Sequence, residues 1–163
     1  MNCPSCGAPM RLTAGQASLV CDYCKGVYFP DPEEDGVRIL DAAEGVLCPI
    51  CAVPLMNATL AGVGIRYCHR CRGTLVAMGR FETLIEALRS DQGAAGALQS
   101  SDPTELTRKI CCPQCKRPME THFYFGGGNV VIDDCENCSL DWLDHGELRR
   151  IAAAAGNAEP HLQ

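Results

Sequence analysis

Three copies of one cysteine pattern predict a small metal-stabilised α+β fold. The expected architecture is three tandem four-cysteine zinc ribbons, the second and third each followed by a short amphipathic helix. Two observations carry this. Each copy opens with C-P-x-C-x-x-P and closes with a second C-x-x-C across an insert of hairpin length. The chain also has 13 cysteines but only 6% aromatic residues, too few for three cores of ribbon size. Metal must supply what the cores lack, and a structural zinc site contributes on the order of 10–16 kcal/mol of folding energy.

The first copy, residues 1–30, places Cys3 and Cys6 before a hairpin and Cys21 and Cys24 after it. Leu12 lies on one arm, Leu19 and Val20 on the other, with a turn near Gly15. Lys25-Gly26-Val27-Tyr28-Phe29 then runs into Pro30 and Pro32. No capped amphipathic pattern follows, so this copy is reduced. Residues 31–45 form an acidic connector around Glu33, Glu34 and Asp35, with a short strand over 37–40.

The second copy, residues 46–90, uses Cys48, Cys51, Cys68 and Cys71. Phe81, Leu84, Ile85 and Leu88 recur at helical spacing. Residues 91–110 are rich in Gly, Ala and Ser and read as a flexible linker.

The third copy, residues 111–156, uses Cys112, Cys115, Cys135 and Cys138. Its hairpin alternates Met119, Thr121, Phe123 and Phe125 with polar residues, turns at 126–129 and returns through Val130, Val131 and Ile132. Asp144 and Glu147 have capping-box spacing. Leu148, Ile151, Ala152 and Ala155 form the helix stripe, which Gly156, Asn157 and Pro160 stop. Residues 157–163 are a frayed tail. Counted from the last cysteine, Leu75 and Val76 align with Trp142 and Leu143, and Gly79 with Gly146. Ala77 and Arg80 replace Asp144 and Glu147.

The twelve paired cysteines are thus the expected ligands of three zinc ions per chain. Paired C-x-x-C spacing argues against a disulfide framework, and no thioredoxin-like setting surrounds the pairs. Rubredoxin-like iron is the minor alternative. Cys111 precedes the C-P-x-C register and reads as a spare thiol. His69 and His145 read as surface residues and Trp142 as a packing anchor. Asp144 and Glu147 are explained by a helix cap without acid–base chemistry. Four thiolates leave zinc no open position for a reacting water, so no enzyme activity is expected. The chain opens on its first knuckle without a leader and contains no apolar run of membrane-spanning length, so a reducing cytoplasm is expected, with no membrane partner and no small-molecule substrate.

Three dianionic sites take the formal charge from −6 to about −12, which opposes non-specific nucleic-acid binding. Residues 46–90 are nevertheless basic, with Arg66, Arg70, Arg72 and Arg80 around the second knuckle pair. The favoured reading is neutralisation of the zinc thiolates or pairing with an acidic neighbour. The alternative is a nucleic-acid patch.

Copy three resembles the transcription-factor-IIB-type zinc ribbon through C-P-x-C, C-x-x-C and Trp142-Leu143-Asp144-His145-Gly146-Glu147-Leu148, over residues 112–151. Copy two resembles it over 48–88 without the acidic pair, and copy one over 3–29. Ser139-Leu140 stands where the other copies have Arg72-Gly73 and Lys25-Gly26. The resemblance implies a structural zinc ribbon with roles in transcription or protein contact. The functional expectation is a non-enzymatic interaction or adaptor module that binds another protein. The rivals are nucleic-acid binding through copy two and a thiol-based zinc redox switch.

Overall fold

Each ribbon is a hairpin whose second knuckle hands the chain to a third strand. The computed structural model describes residues 1–13, 18–29, 31–92, 103–124 and 129–154. In ribbon 1 the strands are β1 (Met10–Leu12), β2 (Leu19–Cys21) and β3 (Val27–Tyr28). The knuckles bend through residues with left-handed backbone: Gly7, Ala52 and Lys116 in the first of each pair, Lys25, Arg72 and Ser139 in the second. In five of the six, the N–H of that residue closes the turn onto the first cysteine's carbonyl, as in Arg72 to Cys68 at 2.8 Å.

The third strand has one register in all three copies. Tyr28 lies opposite Leu19, Leu75 opposite Arg66, and Trp142 opposite Asp133. Ribbon 1 forms its own three-stranded sheet. Ribbons 2 and 3 share one antiparallel sheet of seven strands, in the order β4-β5-β6-β7-β10-β9-β8. These strands are β4 (Arg38–Leu47), β5 (Pro54–Leu60), β6 (Val63–Tyr67), β7 (Thr74–Ala77), β8 (Glu120–Phe123), β9 (Val131–Cys135) and β10 (Leu140–Leu143). The join is β7 against β10, with Leu75 facing Trp142. These two residues occupy equivalent places in their copies, so the seam has a local pseudo-twofold axis.

Two helices, α1 (Met78–Gln92) and α2 (Glu147–Ala153), cover one face of the shared sheet. Phe81, Leu84, Ile85 and Leu88 are buried there with Leu148, Ile151 and Ala152, so the helix stripes cover their own sheet rather than a partner. Phe81 also meets Tyr124, with ring centroids 5.4 Å apart. On the cysteine side a second core holds Leu55, Leu75, Ile110, Met119, Leu140 and Trp142.

Three expectations change. The short strand at 37–40 becomes the ten-residue β4, because Arg38 to Leu47 find partners along β5 across two irregularities in register. Residues 103–110, read as the end of a flexible linker, contain a 3-10 helical turn over Pro103–Thr107 and then lie against ribbon 3. The Met119 N–H donates to Ile110 at 2.9 Å, and the Thr121 hydroxyl to the carbonyl of Arg108 at 3.2 Å. The capping box forms by half. Glu147 accepts the Asp144 N–H at 2.6 Å, but the N-cap is Gly146, and the Asp144 carboxylate turns instead to Trp142 and Arg108. The turns near Gly15 and at 126–128, the residue Ala155 and the tail lie outside the described residues.

Candidate metal centres and the seam beside them

The knuckle turns bring the twelve cysteines into three quartets, Cys3/Cys6/Cys21/Cys24, Cys48/Cys51/Cys68/Cys71 and Cys112/Cys115/Cys135/Cys138. Within each quartet the four sulfurs lie within 4.8 Å of one another. The closest cross-knuckle pairs are Cys3 and Cys24 at 3.6 Å, Cys6 and Cys21 at 3.5 Å, Cys48 and Cys71 at 3.6 Å, and Cys115 and Cys135 at 3.6 Å. A tetrahedron with zinc–sulfur bonds of about 2.3 Å has edges of about 3.8 Å, so the quartets fit zinc closely. They do not fit disulfides, whose sulfurs stand about 2.05 Å apart.

The backbone prepares the thiols for metal. Cys51 N–H points at Cys48 Sγ at 3.3 Å, and Cys24 N–H at Cys21 Sγ at 3.5 Å. Backbone N–H groups of Ser5 and Cys6 pull Cys3 down to about 6, and that of Arg117 pulls Cys115 down to about 7. Burial pushes Cys48 up to about 11 and Cys135 up to about 12. The four sulfurs of each quartet lie within 4.8 Å of one another, so four thiolates are held together there only around a cation. The first cysteine of every knuckle is buried. In ribbon 1 the outer two, Cys6 and Cys24, are exposed, whereas their counterparts in ribbons 2 and 3 are half-buried.

Cys111, His69, His145 and Trp142 all lie outside the quartets. Cys111 is exposed and pairs by backbone with Pro118, outside the third quartet. His69 is exposed. His145 Nδ1 lies 3.8 Å from Asp35. Trp142 is fully buried, and its indole N–H donates to Asp144 Oδ1 at 3.1 Å. It rests on Gly73, where an added Cβ would come within 2.2 Å of the ring. The seam is therefore one-sided. Ribbon 2 offers a slot at Gly73 and a leucine, Leu75, where ribbon 3 has its ring, while ribbon 3 has Leu140 in the place of Gly73 and supplies the ring of Trp142.

The four arginines of copy two are not one free patch. Arg72 reaches Glu34 at 3.2 Å and Asp35 at 3.7 Å, so it pairs with the acidic connector. Arg66 is half-buried on β6, while Arg70 and Arg80 are exposed. Asp35 itself joins both ribbons. It accepts from the Tyr67 hydroxyl at 3.1 Å, and its carbonyl accepts from Arg149 of α2. Arg108 was invisible as a lone arginine in a linker. Its guanidinium bonds Asp133 at 2.5 Å and also Asp144, and Thr121 donates to Asp133 at 2.5 Å. That closes a polar network beside Trp142.

Three four-cysteine quartets on hairpin knuckles define a zinc-ribbon protein with three zinc sites. The sequence profile of the transcription-factor-IIB-type zinc ribbon, described as a transcription factor zinc-finger, matches residues 47–87 and 111–154. That is just over half of the chain, and the chain belongs to this family. No curated protein and no solved structure matches it. Among the described residues no helix is long and apolar enough to cross a membrane.

Proposed function

We propose that the chain is a non-enzymatic, zinc-stabilised interaction module whose contact surface is ribbon 1. One contrast carries this reading. Ribbons 2 and 3 spend their helix stripes and third strands on each other, whereas ribbon 1 leaves Tyr23, Val27 and Phe29 exposed at 82%, 56% and 61%. Exposed aromatic and aliphatic groups gathered on one small module are the kind of surface that proteins use for contact. Four-thiolate zinc supports the non-enzymatic part, because such a site has no open position for water or substrate. The engagement of Arg72 by Glu34 and Asp35 weakens the nucleic-acid alternative. Transcription association rests on the family alone, and fold does not carry function.

The test is affinity capture from cell extract with the zinc-loaded chain and with Tyr23→Ser/Phe29→Ser, each with and without nuclease. A protein partner lost in the variant and insensitive to nuclease is expected. Partners that vanish with nuclease and persist in the variant would transfer the function to nucleic acid.

A further inference from the structure

We infer that ribbon 1 pairs edge to edge with ribbon 1 of a second copy of this chain, making a twofold dimer through β3. The inference rests on the contact surface proposed above and names its occupant.

The seam between ribbons 2 and 3 is the template. All three third strands share one register on their hairpins, so the outer edge of β3 is the equivalent of the outer edges of β7 and β10. Those two edges meet antiparallel about the Leu75 and Trp142 pair. Among the described residues the edge of β3 has no strand beside it. The Cys21 N–H is bonded to the Gly26 carbonyl at 2.9 Å and Tyr28 faces Leu19, so strand alternation turns the N–H and C=O of Val27 and Phe29 outward. Thr74 and Val76, their counterparts on β7, face Leu143 and Asp141 across the seam. In the dimer Tyr28 would face Tyr28 of the second copy on the axis. Val27 would face Phe29 of that copy, twice.

Side-chain shape selects a second copy as the occupant. A twofold interface needs a patch complementary to itself. Ribbon 2 has a slot without a large ring, and ribbon 3 a ring without a slot, so each suits the other. Ribbon 1 has both, Gly26 in the place of Gly73 and Tyr28 in the place of Trp142. Two copies would lay each Tyr28 over the other's Gly26. The remaining edges of the chain are poorer templates. β4 is interrupted by shifts in register, β1 carries the Arg11 and Asp22 ion pair on its hairpin, and β8 carries Glu120 and His122.

Sedimentation equilibrium of the full reduced, zinc-loaded chain tests this. The mass should rise from 17.5 kDa toward twice that value over roughly 10–500 µM, as befits a small interface. Val27→Lys/Phe29→Lys sets lysines opposite each other at both crossings and should hold the chain at 17.5 kDa, with zinc content unchanged because both side chains are exposed. Phe123→Lys, on the edge strand β8, should dimerise like wild type. Should the lysine variant lose zinc, Val27→Thr/Phe29→Thr keeps strand propensity and should weaken dimerisation at least tenfold. A wild type that stays at monomer mass throughout, a dimer indifferent to the lysines, or one broken by Phe123→Lys overturns the inference. If wild type stays monomeric while the lysine variant loses a captured foreign protein, self-pairing falls and the interaction reading stands.

Discussion

Gly73→Ala is the sharpest test of the seam. The new Cβ would stand 2.2 Å from Trp142 Cζ2 and 2.7 Å from Cη2, where carbon atoms rest at about 3.5–4.0 Å. The ring would have to retreat by about 1.5 Å. It has little room, being fully buried with its N–H held by Asp144 at 3.1 Å. Overpacking of this kind costs about 1–3 kcal/mol. The backbone at Gly73 lies outside the left-handed region, so alanine brings no conformational strain and recovers about 0.4–1 kcal/mol from the unfolded chain. The expected net loss is therefore up to about 2.5 kcal/mol. Trp142→Leu alone should cost roughly 2–4 kcal/mol through the cavity it leaves. In the Gly73→Ala background the same change should cost less, because it also removes the clash. Urea titration in a fixed excess of zinc measures all four proteins, by circular dichroism. The emission of Trp142, the chain's 1 tryptophan, reports its own displacement. If Gly73→Ala changes neither the midpoint nor the emission, or the two changes simply add, the ring does not rest on Gly73 and the seam is misdescribed.

Other consequences can be measured directly. Metal analysis should give three zinc per chain, and graded chelator should strip ribbon 1 first because Cys6 and Cys24 are exposed; Cys6→Ser should leave two zinc, and simultaneous loss from all sites would contradict the ordering. Arg108→Ala should cost about 3 kcal/mol by leaving the buried Asp133 carboxylate without its cation, and Asp133→Asn in that background should restore part of it. Burial, against the opposing Asp144 N–H bond, pushes Glu147 up to about 8, so the folded state holds this proton more tightly than the unfolded chain. That contribution to stability is complete below the ordinary glutamate value and is lost as pH rises through about 8. Glu147→Gln should remove the dependence. Its stability relative to wild type should widen from about pH 4.5 to 8 and then level off, and a constant difference would count against the buried, protonated group.

How much of this was legible follows from how local each feature is. The quartets were legible because C-x-x-C is a turn, and a turn carries its two sulfurs wherever it goes. The helix stripes were legible from their spacing, and the equivalence of Leu75 and Trp142 from counting along each copy. That these equivalents would face each other was not, since strand pairing between repeats joins residues far apart in sequence and leaves no periodic trace. Asp35 sits in an acidic run that reads as solvated surface, yet its neighbours from β6 and α2 converge on it. Arg108 lacks any pattern at all. Its role exists only because Ile110 and the hydrogen bond to Met119 draw its stretch of chain against the sheet. The capping-box spacing foretold the bond from Glu147 but not the competition of Trp142 and Arg108 for the Asp144 carboxylate.

The one-sided seam also bears on the order in which the chain is made. Ribbon 2 leaves the ribosome before ribbon 3, so β7 stands for a time with a bare edge and an empty slot over Gly73. Bare edges recruit strangers, and neighbouring nascent chains on one message are the nearest strangers available. Two ribbon-2 modules would meet with leucine against leucine and nothing over either glycine, forfeiting the dispersion contacts that a ring supplies. Two ribbon-3 modules would drive a pair of indoles onto a pair of Leu140 side chains. Each growing chain is thereby biased to wait for its own tryptophan.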